Sequence, residues 1–135
     1  MAKTFSAQIE AWARKGRGRM EAIFRESTQR VLEDANEPMA DGGRMRIKTG
    51  FLRNSLAASL QGMPRGPSRR EDGQGRPEDI NLIIARAQVG DTIWAGWTAA
   101  YAAPREAKDG FLESAAQRWP QTVSAVTAEA KRRLP

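Results

Sequence analysis

A chain of 135 residues with 40% apolar side chains, four Trp and four Phe can bury a real core in one domain (1–135), which excludes wholesale disorder. It holds neither Cys nor His, which excludes disulfides, thiol chemistry and the usual zinc sites, and no apolar run approaches the ~20 residues of a membrane span. A net charge of +6 favours contact with nucleic acid or an acidic protein surface, although the basic residues are spread along the chain and usually have an acid nearby.

Lys3 precedes no apolar segment of the kind a signal peptide needs, so the expectation is a chain that stays in the cytoplasm where it is made. Residues 4–37 then read as one long helix. Phe5, Ile9, Trp12, Met20, Ile23, Phe24, Ser27, Val31 and Ala35 recur at spacings built from three and four, and Thr4 is placed to cap the start. Glu10–Arg14, Glu21–Arg25 and Glu26–Arg30 are i, i+4 pairs in the favourable order. Gly16 and Gly18 each cost roughly 1 kcal/mol relative to Ala inside a helix, so a kink or fray is expected at 15–19. The densest basic cluster, Arg14, Lys15, Arg17 and Arg19, surrounds them. It reads either as a polyanion contact or as a solvated helix break. Pro38 forces a stop, and Asp41-Gly42-Gly43 reads as a flexible connection.

Residues 46–60 form a corner and a first strand. Thr49-Gly50 is a turn in which Gly tolerates positive φ and the Thr hydroxyl can bond a nearby N–H. Phe51, Leu52 and Leu56 supply apolar anchors over one helical turn, leaving Arg53 and Asn54 facing outward. Residues 61–79, rich in Gly and Pro and poor in apolar side chains, read as a mobile loop or hairpin arm that orders against a partner. Its Arg65, Arg69, Arg70 and Arg76 are nearly balanced by Glu71, Asp72, Glu78 and Asp79.

Residues 80–98 read as a β-hairpin, Leu82–Val89 and Thr92–Thr98 flanking a Gly90-Asp91 turn of the II′ kind. That register sets Ala87 opposite Trp94 and Ile84 opposite Trp97. One face would hold Ile83, Ala85, Ala87, Val89 and Trp94. The other would hold Leu82, Ile84, Ile93, Ala95 and Trp97. Both faces are partly apolar, so a neighbouring subunit is expected to cover one of them. Tyr101 to Glu106 then leave the sheet. Asp109 is placed to cap a final helix, 109–133, whose stripe is Phe111, Leu112, Ala115, Ala116, Trp119, Val123, Val126 and Ala130. Pro120 should kink that helix, and Lys131, Arg132 and Arg133 suit its C-terminal end. The fold class is α+β: a long N-terminal helix, an antiparallel sheet of about three or four strands with a long arm, and a C-terminal helix packed on the sheet.

No catalytic constellation can be assembled from these residues. There is no Ser-x-x-Lys and no phosphate-binding Gly loop. Glu33, Asp34 and Glu37 offer oxygens to a hard cation but read as a solvated helix end, so no enzyme, metal or cofactor is expected.

The order of features carries a resemblance. A long helix precedes Thr49-Gly50-Phe51-Leu52-Arg53-Asn54-Ser55, and Tyr101-Ala102 with Glu106 follows the loop and strands. Gly110-Phe111-Leu112 then opens a helix with Trp119. This resembles the small head–tail joining, or tail-completion, proteins of long-tailed DNA phages, prophages and gene transfer agents. Members commonly show a Thr-Gly-x-Leu-Arg-x-Ser box, a Tyr-Ala-x-x-x-Glu box and a Phe-Leu-x-x-Ala helix start. The second box departs from pattern, with Ala107 where a Gly usually follows the Glu and Pro104 inside it. The resemblance implies structural roles for Thr49, Gly50, Leu52, Arg53 and Ser55 at the corner and for Tyr101 and Glu106 at a second turn near it. It also implies a virion protein of the neck, in a homo-oligomeric ring that is commonly six-fold, between the portal or connector and the tail tube, with no membrane partner. Arg14, Lys15, Arg17, Arg19, Arg65, Arg69, Arg70 and Arg76 would be candidates to face partners or the DNA channel. A small basic nucleic-acid-binding module is the alternative.

Overall fold

The computed structural model describes residues 4–47, 50–64 and 77–133. Helix α1 (Phe5–Ala35) is followed by a 3-10 turn (Met39–Asp41), the short helix α2 (Phe51–Asn54) and strand β1 (Leu56–Ser59). Helix α3 (Pro77–Arg86), strand β2 (Trp94–Trp97) and helices α4 (Ala102–Asp109), α5 (Phe111–Gln117) and α6 (Trp119–Arg133) complete the order. The mixed class, the long first helix and the helical C-terminus agree with the sequence. The strand count does not: the described residues form one two-stranded antiparallel sheet.

Thr4 caps α1 as its position suggests, its Oγ1 accepting the Ala7 N–H at 3.1 Å. The expected break at 15–19 is absent, and α1 runs through Gly16 and Gly18 for 31 residues. Helix propagation is cooperative, so two isolated glycines flanked by good helix formers weaken the ladder without ending it. The stop before Pro38 is observed. The connection after it is fastened, not flexible. Met39 N–H donates to the Met45 carbonyl at 2.9 Å, Met45 N–H to Glu37 at 3.2 Å and Gly43 N–H to Pro38 at 2.9 Å. A Cβ on Gly43 would overlap the Glu37 carbonyl, so only glycine lets these strands of chain approach.

The expected hairpin over 80–98 is overturned. Residues 77–86 are helical, and β2 pairs with β1, joining Leu56 to Trp97, Ala57 to Gly96, Ala58 to Ala95 and Ser59 to Trp94. Pro77 opens α3 at a position where its missing N–H is no loss, and Ile80, Ile84 and Ala87 recur at four and three, burying one helical face. The turn at Gly90 exists but links a helix to a strand. Asp91 N–H donates to the Gln88 carbonyl at 3.0 Å, with Gly90 third in the turn at φ +97°. Residues 77–79 thus belong to α3, residues 61–64 leave β1 without regular structure, with Gln61 bonded to the Ser59 hydroxyl, and 65–76 lie outside the described residues.

Two apolar clusters share Val31 and Trp97. One joins Ala35, Met45, Leu52, Ala99, Phe111 and Ala115. The other joins Leu32, Leu56, Ile80 and Ile84 with Ala58, Ile93 and Ala95 along the inner face of the sheet. The C-terminal stripe is only partly inward. Phe111, Ala115 and Val126 are buried, whereas Leu112 and Trp119 are exposed. The helix breaks at Arg118, one residue before Trp119-Pro120, as a proline in the second helical position requires.

Candidate assembly surface

The corner residues are structural joints. Gly50 sits at φ +82° and starts α2, a conformation that a Cβ would strain. Leu52 and Ser55 are buried, and Arg53 is exposed. The Ser55 hydroxyl donates to the Leu52 carbonyl at 2.7 Å, and the Ser55 carbonyl accepts both the N–H and the hydroxyl of Thr98 at 3.0 Å. Thr49 lies outside the described residues. Asn36, just past the end of α1, ties this corner to the sheet. Its Oδ1 accepts the Trp97 indole N–H at 2.8 Å while its Nδ2 donates to the Arg53 carbonyl at 3.3 Å. Trp97 also meets Phe111 edge-to-face, with ring centroids 5.0 Å apart. Sequence reasoning missed Asn36. The available signal was a half-buried indole's need for an acceptor.

Tyr101 precedes α4, so the expected second turn is in fact a helix, with Pro104 in its first turn where no intrahelical N–H partner is lost. Asp109 is not the cap of the following helix. It is held by Arg105 at 2.6 Å, and the cap is Glu106, whose carboxylate accepts the Leu112 and Glu113 N–H groups at 2.7 and 3.0 Å. Gly110, at φ +65°, makes the bend that brings those donors to it.

The surface features lie elsewhere. No described residue from Thr4 to Met20 is buried. Phe5 is 76% and Trp12 77% exposed, and Ile9 and Met20 are exposed beside them. At 100° per residue these four fall on one face of α1, the face that further along carries the fully buried Ser27. Lys15 and Arg19 flank this stripe on one side and Arg17 on the other, while Arg14 lies opposite. All four are exposed. Arg65, Arg69, Arg70 and Arg76 lie outside the described residues. A second apolar surface is the outer face of the sheet, where the pairs Ala57–Gly96 and Ser59–Trp94 point away from the core. Trp94 is exposed there, and Met63 lies over Gly96, its terminal methyl 3.2 Å from where a Cβ would stand.

At the other end of α1, Glu33, Asp34 and Glu37 line a cleft of about 460 Å³ with Arg30 and Arg118. A second cleft of about 360 Å³ adjoins it at Asp34, Glu37 and Arg118 and extends to Asp41 and Arg44. Asp34 is taken by Arg118 at 2.6 Å, so the carboxylate trio is divided by an ion pair. Arg30 bridges Glu26 and Glu129, joining α1 to α6. Hydrogen bonding from Arg30 holds the Glu129 carboxyl below its ordinary value, and the same bond raises the guanidinium. Among the described residues no group of three carboxylates is placed to share a metal ion, and no helix is long and apolar enough to cross a membrane. No protein-family model, curated protein or solved structure matches the chain at a significant level.

Proposed function

We propose that this protein is a structural subunit of the head–tail interface in a long-tailed DNA phage or a phage-derived particle, a ring component between portal or connector and tail tube. The observation that supports it is the apolar stripe Phe5, Ile9, Trp12 and Met20, displayed on a helix that continues past the packed body. Large apolar patches rimmed by charge are the mark of surfaces that meet other proteins. The outer sheet face with Trp94 adds a second such surface, as a subunit with two neighbours needs. The corner residues Arg53 and Ser55 are hydrogen-bonded to the end of α1 and to the chain just after β2. Such fastening suits a building block. Localisation in the particle neck is tested by labelling the chain in purified particles. Label at the portal–tail junction is the expected result, and particles that keep an intact neck without the chain would defeat the reading.

The alternative, a nucleic-acid-binding module, draws on the exposure of Arg14, Lys15 and Arg17 along one helix. It requires duplex DNA affinity that falls steeply with salt, so absence of binding at ~50 mM salt removes it.

A further inference from the structure

We infer that the free half of α1 docks head-to-tail onto the acidic end of α1 in a second copy of this chain. The inference rests on the building-block reading and names the surface that such a block would use. The charge along α1 and the turn after it is segregated. Residues 5–20 hold four basic side chains and one acidic, whereas residues 21–41 hold six acidic and two basic. Helix stability alone favours the reverse order, because the backbone dipole is positive at the N-terminus and negative at the C-terminus. The first turn of α1 has no acid and the last turn no base. This polarity is unhelpful within one molecule and complementary between two.

The two ends also match in apolar character. The donor face offers Phe5, Ile9, Trp12 and Met20, flanked by Lys15 and Arg17. At the acceptor end Glu33, Glu37 and Asp41 line the clefts, and exposed Met39, Leu112 and Trp119 stand within two residues of lining residues in the chain. Its cations are largely committed: Arg30 holds Glu26 and Glu129, and Arg118 holds Asp34. Glu33 accepts only from Gln29, and Glu37 and Asp41 form no side-chain ion pair among the described residues, leaving Arg44 as the local counter-charge. An apolar strip with basic flanks therefore meets an acidic surface that also exposes single apolar side chains. Because the two surfaces differ, a copy whose free half is docked still offers its own acidic end to a third copy, the arrangement that propagates around a ring, whereas a reciprocal pairing of the same surfaces would stop at two copies.

Charge reversal tests the docking. Two full-length variants, Lys15→Glu/Arg17→Glu and Glu33→Lys/Asp41→Lys, alter exposed side chains only, and unchanged thermal melts establish that they fold. Sedimentation velocity at about 50 mM salt should show each losing self-association by at least about tenfold. The quadruple variant, with both ends reversed, should recover to within about threefold of wild type, and so should an equimolar mixture of the two double variants. Wild-type association that stops at two copies would indicate a reciprocal two-fold contact and overturn the head-to-tail arrangement, which should instead show species larger than the dimer. Self-association of wild type that reversal leaves unchanged would overturn the docking while leaving the building-block reading intact. A wild type that stays monomeric at every concentration would also overturn the docking. The neck reading is then decided separately, by where the label lies in particles.

Discussion

Along α1 the same spacing of apolar residues runs through two regions with opposite fates. From Ile23 to Ala35 the helix packs against α3, α5 and α6, burying Ser27, Thr28, Leu32 and Ala35. From Phe5 to Met20 the pattern is equally regular and nothing described covers it. Periodicity therefore reports that a face is meant to be buried. It does not report by whom. One half is closed by the chain itself, and the other stands exposed among the described residues.

Two tryptophans make the contrast measurable. Trp97→Ala removes a ring shared by both core clusters and orphans Asn36, and it should cost about 3–5 kcal/mol in denaturant unfolding. Trp12→Ala should stay within about 0.5 kcal/mol of wild type in the same assay, because its ring is already in water. A large loss at Trp12 would mean that the free half is closed within the monomer.

Gly50→Ala should cost about 1–2 kcal/mol in the same unfolding assay, since alanine resists the left-handed conformation. Gly16→Ala with Gly18→Ala acts in the open half, where neither added methyl meets another atom within 4 Å. Each should favour the helix by about 0.5–1 kcal/mol locally. That gain should appear as slower amide exchange over residues 5–20, with little change in the global midpoint. The smallest effect is electrostatic and belongs to the closed half. Glu129 is held below its ordinary value by Arg30, so its contribution is present at neutral pH and is lost as pH falls through the lowered value. NMR titration should find its carboxyl below that of exposed glutamates, and Arg30→Gln should return it to their range.

How much of this was legible depended on distance along the chain. Thr4, the Gly50 turn, the outward Arg53 and the break before Pro120 are local matters, decided by neighbouring residues, and each could be read in order. The segment 80–89 reads as strand because Ile83, Ile84 and Val89 are β-branched and Gly90-Asp91 is a hairpin signal. The opposing signals were Pro-Glu-Asp at 77–79, a helix start, and the four-and-three recurrence of Ile80, Ile84 and Ala87. The partner of Trp94–Trp97 was illegible, since Leu56–Ser59 lies across a long intervening segment and strand pairing is a tertiary choice. Asn36 failed to stand out for the same reason. Of the candidate surface, the stripe was visible but looked like core, because exposure is a property of the assembled chain. The basic residues at 14–19 read in sequence as the flanks of a helix break, and their segregation from the acids of 21–41 becomes meaningful only because α1 is continuous.

That continuity has a mechanical side. At about 1.5 Å per residue, 31 helical residues make a strut of about 46 Å. Its inner end is bolted by a single amide, Asn36, to an indole of the sheet and to the backbone of the corner. The half from Ile23 onward is also seated against α3, α5 and α6, so it is the outer 16 residues, about 24 Å of the strut, that reach past the support of the body.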